Sequence, residues 1–274
     1  MNQLIEYFSS ISPVTAALIV TLCTWFTTAV GASSVFFFKN LNRKFLDATL
    51  GFAAGIMMAA SIFSLLIPSI KMTEGEGFLK VLPAVVGLLL GAFFIYMIDK
   101  VLPHLHINFK ESDKEGIKTP WHKSVLLTLA ITMHNIPEGL AIGVLFGSAA
   151  AGLEGASIGA AVVLGIGIAI QNIPEGFAIS MPLRALGMSK LRSFNYGQLS
   201  AIVEPISAVI GAWAVFYFIG LLPYALSFAA GAMIFVVIEE VIPESQKSNH
   251  TDLATIAFII GFCIMMTLDV GLTQ

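Results

Sequence analysis

Charged residues are scarce in this chain. Asp, Glu, Lys and Arg make up 11% of its 274 residues, whereas 57% are hydrophobic and the mean hydropathy is +0.89. In soluble globular proteins about a quarter of the residues are charged. The composition therefore excludes a water-soluble fold and favours a chain embedded in lipid.

Cysteine is nearly absent as well. The two cysteines, Cys23 and Cys263, lie in separate apolar runs, which argues against a disulfide framework or a cysteine-based metal centre. We expect both to pack as small hydrophobic side chains. The N-terminal sequence MNQLIEYFSS lacks the basic region of a signal peptide, so the first apolar run is expected to be a membrane span that is not cleaved.

Eight apolar runs of about 20 residues are each long enough to cross a bilayer as a helix. They predict an all-α polytopic membrane protein with a single transmembrane domain over residues 1–274. The segment 102–122, between spans 3 and 4, is a polar loop that carries histidines. The predicted spans are 12–38, 46–70, 81–101, 123–147, 156–181, 195–219, 222–243 and 252–272.

The basic residues predict the orientation of these spans. If all eight cross, 12 of the 14 Lys and Arg residues fall on one side, and Lys71 and Lys80 fall on the other. The positive-inside rule then places loop 102–122 in the cytoplasm and both termini outside it. We expect a multi-pass protein of the plasma membrane, which is the inner membrane in a bacterium.

The sequence Asn-Ile-Pro-Glu-Gly occurs twice, at residues 135–139 and 172–176, inside predicted spans 4 and 5. Each copy places a carboxylate, an amide and a proline where a bilayer favours leucine. A charged side chain at the bilayer centre costs about 3 kcal/mol, and such residues mark ion or substrate pathways. Two copies of this costly feature predict a site for a divalent cation that compensates the charge.

The duplicated motif also predicts an internal repeat. Spans 4 and 5 are consecutive and therefore antiparallel. Spans 2 and 7 share the pattern Phe-Ala-Ala-Gly-x-Met at 52–57 and 228–233 and must be antiparallel too. Such pairs are typical of transporters with inverted-repeat symmetry. By extension, we expect span 1 to pair with span 8 and span 3 with span 6.

Helical spacing brings the polar side chains of the motifs together. His134 and Glu138 share one face of span 4, as do Gln171 and Glu175 on span 5. The prolines should kink both helices. Imidazole and carboxylate groups suit Zn²⁺ and other first-row divalent ions. For the amides, hydrogen bonding between helices is the alternative to metal binding. The candidate metal ligands on spans 4, 5 and 6 are His134, Asn135, Glu138, Gln171, Asn172, Glu175 and Glu204.

The paired motifs, the eight spans and the histidine-bearing loop resemble the ZIP (Zrt/Irt-like) metal transporters, in particular their prokaryotic GufA-type branch. The resemblance implies uptake of Zn²⁺, and of related ions such as Cd²⁺, Fe²⁺ and Mn²⁺, into the cytoplasm. It implies one metal position formed by His134, Glu138, Gln171 and Glu175. The adjacent position that it implies uses Asn135, Glu138, Asn172, Glu175 and Glu204. Some relatives carry Asp at the position of Asn172, so this chain lacks one charge there.

The resemblance extends the path beyond the centre. It implies a thioether ligand at Met57 on span 2, for which simple packing is the alternative. It also implies metal contacts on an exit route at Asp99, His104, His106 and Glu240. For the charged residues Asp47 and Glu244 at helix ends, we expect solvated side chains without a metal role.

These features favour a secondary transporter that works by alternating access, in which one block of helices carries the site past a more static block. A metal-selective channel is the alternative. An intramembrane metalloenzyme is disfavoured because the chain lacks a His-Glu-x-x-His motif. We expect no prosthetic cofactor and no nucleic-acid partner, since divalent ions are the bound substrate and lipid surrounds the chain. A glycine ridge at Gly139, Gly143 and Gly147 favours packing within the chain and leaves a homodimer open.

Overall fold

The computed structural model describes residues 1–101, 104–105, 114–115 and 123–272, and helices dominate this part of the chain. Two π-helical segments, Ser61–Leu66 and Val237–Val241, and two 3₁₀ turns, Ser200–Ile202 and Ile219–Leu221, connect successive α-helices. Two strands of two residues, β1 (His104–Leu105) and β2 (Lys114–Glu115), pair antiparallel. The α-helices are α1 (Asn2–Ser9), α2 (Pro13–Ala32), α3 (Ser34–Phe37), α4 (Arg43–Ala60), α5 (Ile67–Met72), α6 (Phe78–Val101), α7 (Lys123–Ala150), α8 (Ile158–Ala185), α9 (Lys190–Leu199), α10 (Val203–Val215), α11 (Leu222–Val236), α12 (Ile242–Ser245) and α13 (Thr251–Leu272).

Within these described residues, seven helical segments are long and apolar enough to cross a membrane. They correspond to predicted spans 1–3 and 5–8, so the prediction of a helical, multi-pass membrane protein is confirmed. Predicted span 4 coincides with α7, a helix of 28 residues. The seven segments are Pro13–Phe37, Arg43–Met72, Phe78–Val101, Ile158–Ala185, Lys190–Val215, Ile219–Ser245 and Thr251–Leu272.

Local sequence determines where several of these helices begin. The side chains of Ser12, Asn42, Ser157 and Ser189 each accept a hydrogen bond from a backbone N–H in the first turn of α2, α4, α8 and α9. Short polar residues are preferred here because the first four N–H groups of a helix have no partner within it. Pro13 follows Ser12 at the first position of α2, where its missing N–H costs nothing.

Prolines explain the two π-helical segments. Segment Ser61–Leu66 ends just before Ile67-Pro68, and segment Val237–Val241 ends just before Ile242-Pro243. A proline lacks the N–H that would bond the carbonyl four residues earlier and its ring crowds that carbonyl. The preceding turn widens instead into a π-helical turn, a form that occurs mostly as a single turn inside an α-helix. Helices α7 and α8 continue through Pro137 and Pro174, and a kink at each proline stays a prediction.

The glycines of the Phe-Ala-Ala-Gly-x-Met repeat allow two close helix contacts. A Cβ atom on Gly55 of α4 would lie 2.0 Å from the carbonyl oxygen of Phe258 in α13. A Cβ atom on Gly231 of α11 would lie 2.0 Å from the carbonyl oxygen of Leu88 in α6. Span 2 therefore packs along span 8 in the way that span 7 packs along span 3.

The glycines of the two motifs make a second pair of such contacts. A Cβ atom on Gly139 of α7 would lie 2.3 Å from the carbonyl oxygen of Glu204, and the other two glycines of the 139–147 ridge also meet α10. A Cβ atom on Gly176 of α8 would lie 2.1 Å from the carbonyl oxygen of Thr28 in α2. The ridge thus packs inside the chain, and span 4 meets span 6 as span 5 meets span 1.

These contacts contradict the expected pairing of span 1 with 8 and span 3 with 6. Span 2 (α4) contacts span 8 (α13), and span 7 (α11) contacts span 3 (α6). If spans 2 and 7 are equivalent, their partners, spans 8 and 3, must be equivalent too. Exchanging spans 4 and 5 likewise requires span 6 to exchange with span 1. The pairing was wrong because it placed equivalent spans symmetrically along the chain, whereas the glycine contacts put α13 beside α4 and α6 beside α11.

The most extensive packing divides the helices into two blocks. The first block, called the motif block, contains α2, α7, α8, α9 and α10; the second, called the outer block, contains α4, α5, α6, α11, α12 and α13. Between the blocks, α4 and α13 contact α8, and α11 contacts α7.

A buried ion cluster joins the ends of the outer-block helices. Asp47 is fully buried; its carboxylate lies 2.9 Å from Arg43 Nε and 3.2 Å from His250 Nδ1. Glu244 is 5% exposed and lies 2.8 Å from Arg43 Nη2 and 2.9 Å from Lys247 Nζ. The expectation that Asp47 and Glu244 are solvated was therefore wrong, because each carboxylate is buried with one partner near in sequence and one distant partner, His250 for Asp47 and Arg43 for Glu244. That neither residue contacts a metal ion stays a prediction.

Candidate metal site

The two motif copies lie in the middle of α7 and α8. Both helices have 28 residues, and Glu138 and Glu175 lie about halfway along them. Each residue of the motifs that carries a charge or an amide is at most 8% exposed. Because a helix rises about 1.5 Å per residue, both glutamates are roughly 20 Å from either end of their helices.

The first contact between the motifs joins a carboxylate to an amide. Gln171 Nε2 donates a hydrogen bond of 2.5 Å to Glu138 Oε1, and both side chains are fully buried. Since these residues come from opposite helices, the predicted convergence of α7 and α8 at the motifs is observed for this pair. The other carboxylate oxygen of Glu138 and the amide oxygen of Gln171 have no hydrogen-bond partner among the described residues.

The second contact brings in α10 and α2. Asn172 Nδ2 donates to both carboxylate oxygens of Glu204, at 2.9 and 3.1 Å, and to the carbonyl oxygen of Thr24 at 3.1 Å. The Thr24 hydroxyl also donates to Glu204. The predicted contribution of Glu204 from span 6 is thus observed beside Asn172, and a threonine of span 1 completes the cluster.

The third contact crosses from the motif block to the outer block. His134 Nε2 lies 2.6 Å from Glu240 Oε1, in the second π-helical segment. The His134 side chain is 7% exposed and that of Glu240 is 11% exposed. The resemblance assigned Glu240 to an exit route; in this structure it lies directly against a residue of the central motif.

The carboxylates of this region repel one another. The charge of Glu138 is close enough to interact with those of Glu175 and Glu204, and Glu175 is attracted by His134. Burying several like charges without compensation is strongly unfavourable. The arrangement is therefore best suited to hold a cation of more than one positive charge.

Unsatisfied polar atoms concentrate at the same place. Apart from Asp47 Oδ1 and Glu244 Oε2, which make ion pairs, ten buried side-chain N and O atoms have no hydrogen-bond partner within the described residues, and six of them belong to the two motifs. They include both polar atoms of Asn135 and one oxygen each of Glu138, Gln171, Asn172 and Glu175. Native proteins rarely leave such atoms unpaired, and an ion or water is the usual explanation.

No three His, Cys, Asp or Glu side chains close on one point in the part of the chain that the structure describes. Two of the motif positions are held by Gln171 and Asn172, whose amide side chains are not among these four residue types. Five of the six unpaired atoms in the motifs are oxygens, and divalent ions accept carboxylate and amide oxygens as ligands. The donor set thus fits a divalent metal once amide oxygens are included.

The remaining predicted residues are more scattered. Met57 is 1% exposed on α4, which packs against α8, and a direct role at the metal stays a prediction. Asp99 is 5% exposed near the end of α6, and His104 lies in β1. His106 lies outside the described residues. The proposed exit route through these residues is therefore untested.

Sequence reasoning missed Thr24. Its position was encoded in the buried stripe Thr21, Thr24 and Thr28 along one face of α2, but threonine hydroxyls commonly bond their own helix backbone. All three hydroxyls lie within hydrogen-bond distance of a carbonyl of their own helix here. Nothing in the sequence distinguished Thr24 from its neighbours, because its partner Glu204 is distant in the chain.

Fold and site together define a multi-pass membrane protein with buried carboxylate, amide and imidazole groups at the centre of two antiparallel helices. The family profile described as ZIP Zinc transporter matches residues 108–269. The chain therefore belongs to the ZIP zinc transporter family. Proteins of this family are transporters and not enzymes, so the metalloenzyme alternative is not favoured.

Similar proteins cover nearly the whole chain. The zinc transporter ZIP11 of Bos taurus is 43% identical, and the alignment spans 95% of this chain and 98% of that protein. The zinc transporter GufA of Myxococcus xanthus is 36% identical over 94% of this chain and 99% of its own length. The zinc transporter ZIPB of Bordetella bronchiseptica is 36% identical over 89% of this chain and 77% of its own length. The similarity to a GufA-type member agrees with the predicted branch.

Proposed function

We propose that this chain transports Zn²⁺ across the plasma membrane into the cytoplasm, with Cd²⁺, Fe²⁺ and Mn²⁺ as further cargo. The observation that carries the proposal is the group of orphaned oxygens on α7 and α8, midway along two buried helices. The names of the similar proteins support zinc as the principal ion.

The transport site has two positions in this proposal. His134, Glu138, Gln171 and Glu175 form the first, and Glu240 orients the imidazole through its 2.6 Å contact, as carboxylates commonly do for zinc-bound histidines. The second position uses Asn135, Asn172 and Glu204 together with the two motif glutamates. A bound ion would replace a hydrogen bond in either position, Gln171 to Glu138 in the first and Asn172 to Glu204 in the second. The first position should bind more tightly because it alone includes an imidazole, a preferred zinc ligand.

We propose eight spans, with α7 as the fourth. A Cβ atom on Gly155, just after α7, would lie 2.9 Å from Lys71 Cβ at the end of α5. Helix α6 leads away from Lys71 over 24 residues, so the chain must return along α7 to reach it again. This geometry supports the count, and the positive-inside rule then puts both termini outside the cytoplasm.

The inverted repeat relates spans 1, 2 and 3 to spans 6, 7 and 8, and span 4 to span 5, in this proposal. The matching glycine contacts and the π-helical turns before Pro68 and Pro243 support it. The motif block carries nearly all the ligands, whereas the outer block contributes Glu240 and Met57. Movement of one block against the other, with the His134–Glu240 contact made and broken, is a carrier cycle and not a channel.

Zinc uptake into liposomes tests this function. Purified protein is reconstituted with a zinc-sensitive dye inside, and the double variant Glu138→Gln/Glu175→Gln is compared with the wild type. We expect the double variant to lose at least about tenfold in initial rate, in line with the effect of disturbing metal sites. Glu154→Gln is the matched control, since Glu154 is an exposed glutamate between α7 and α8.

Equal zinc flux in the double variant and in the wild type would disprove the assignment of the site. In liposomes without the dye, unlabelled zinc preloaded on the far side should accelerate uptake of radiolabelled zinc if a carrier returns faster when loaded. An unaffected rate would favour the channel alternative.

A further inference from the structure

A cavity of about 470 Å³ lies where α5, the start of α8 and the end of α13 meet. It is on the side of the protein where the loop between α7 and α8 packs against Lys71. In the proposed orientation this is the side from which metal enters. The residues of its wall that matter below are Lys71, Ser157, Ala160 and Asp269.

The cavity contains one buried acidic group and one cation. Asp269 is 7% exposed and accepts a hydrogen bond from the buried Ser64 hydroxyl. The positive charge of Lys71 attracts this carboxylate, while the Lys71 side chain is itself exposed. An approaching metal ion therefore meets a positive charge in the wall of the same cavity as this carboxylate.

Two helices lead from this cavity towards the central site. Ala160 of α8 lines the cavity, and Gln171 lies 11 residues further along the same helix, a distance of about 16 Å. On the opposite wall, the buried residues Ser64, Ser61 and Met57 follow one another down α4 and its π-helical segment. The cavity is thus at the outer end of the helices that carry the site.

We infer that Lys71 acts as a charge filter at the entrance: its exposed ammonium group, in the wall of the cavity that also contains Asp269, opposes the approach of divalent cations and limits the capture of dilute zinc. The inference rests on the proposed function and adds to it a residue that determines the rate of entry. Two basic residues, Lys71 and Lys80, lie between spans 2 and 3. Of these two, only Lys71 lines the cavity, so Lys71 is the one placed to act on an entering ion.

The expected size of the effect follows from Coulomb's law. A divalent ion passing about 8 Å from an ammonium group in water is disfavoured roughly six-fold, and screening at physiological salt lowers this to about two-fold. Removing the charge should raise the entry rate by a factor within this range. The gain should appear at low zinc concentration and vanish at saturation, because entry no longer limits the flux there.

Initial zinc uptake into liposomes, measured below the half-saturating concentration, tests the inference. Lys71→Gln should raise the rate about two- to six-fold, Lys71→Glu should raise it further, and Lys71→Arg should retain the wild-type rate. The advantage of Lys71→Gln should shrink as salt is added. Lys80→Gln is the matched control and should leave the rate unchanged.

Wild-type flux reports on the proposed function, and the ratio of variant to wild type reports on Lys71. If the wild type transports zinc but Lys71→Gln has an equal or lower rate, the inference is overturned. A lower rate would mean that the lysine assists entry, for example by attracting an anionic zinc complex. If Lys71→Gln is unstable, Lys71→Arg provides the test, because arginine keeps the positive charge. A Lys71→Arg uptake rate that is raised, as expected for Lys71→Glu, would equally overturn a role for charge.

Discussion

Replacing Asn172 with aspartate should have opposite effects on the stability of the metal-free protein and on metal binding. The Asn172 amide nitrogen donates to Glu204 at 2.9 Å and to the Thr24 carbonyl at 3.1 Å. Aspartate of nearly the same shape has no donor in that position and presents an acceptor to two other acceptors. We therefore expect Asn172→Asp to destabilise the metal-free protein and to improve the second metal position at the same time.

The structure allows an estimate of this loss. A hydrogen bond to a charged group contributes about 1.5–3 kcal/mol, and a bond to a neutral carbonyl contributes about 1 kcal/mol. A loss of about 3 kcal/mol in unfolding free energy corresponds to a fall in melting temperature of about 6 °C or more for a protein of this size. A ligand that binds only the folded state restores stability in proportion to the logarithm of its concentration relative to Kd.

Thermal unfolding of the detergent-purified protein, with a chelator and then with a zinc series, measures both effects. The chelated variant should melt below the wild type, and zinc should raise its melting temperature by more than it raises that of the wild type. Asn195→Asp, on the exposed face of α9, should leave both values near those of the wild type. An Asn172→Asp protein that is as stable as wild type in chelator, or that gains no more from zinc, would refute this account of the Glu204 cluster.

Two further predictions concern the packing of the helices. Gly143→Ala puts a Cβ atom 2.0 Å from a backbone carbonyl of α10, so it should lower the unfolding free energy by about 1–3 kcal/mol; Gly271→Ala, which meets nothing within 4 Å, is the control, and equal melting temperatures would contradict the contact. Arg43→Gln removes the common partner of two buried carboxylates and should cost about 3–5 kcal/mol. Lys39→Gln, at an exposed position nearby, should cost almost nothing, and a similar melting temperature for the two variants would show that the ion cluster contributes no stability.

The sequence was sufficient to predict a helical, multi-pass membrane protein. Apolar runs of about 20 residues have few alternatives to membrane helices, and seven of the eight predicted spans match helical segments that are long and apolar enough to cross a membrane. The interval of four residues fixes which side chains of one helix share a face, whereas the Gln171–Glu138 contact between two helices needed the structure.

Contacts between distant parts of the chain could not be predicted in this way. Thr24 and Glu240 reach the site from α2 and from a π-helical segment, and a π-helical turn shifts the facing of every residue that follows it. The burial of Asp47 depends on Arg43 and on His250, about 200 residues away. The matching glycine contacts were likewise hidden, because the sequence shows the repeated residues but not which helices their glycines meet.

Anomalous diffraction at the zinc absorption edge, from crystals grown with zinc, tests the central claim most directly. The account predicts the strongest peak midway along α7 and α8, within bonding distance of Glu138 and Glu175, with His134 or Gln171 as a further ligand. We expect this peak to be lost in crystals of the Glu138→Gln/Glu175→Gln variant. Zinc peaks confined to the loops or the protein surface, with none between the two motif helices, would contradict the claim that zinc crosses the membrane through this site.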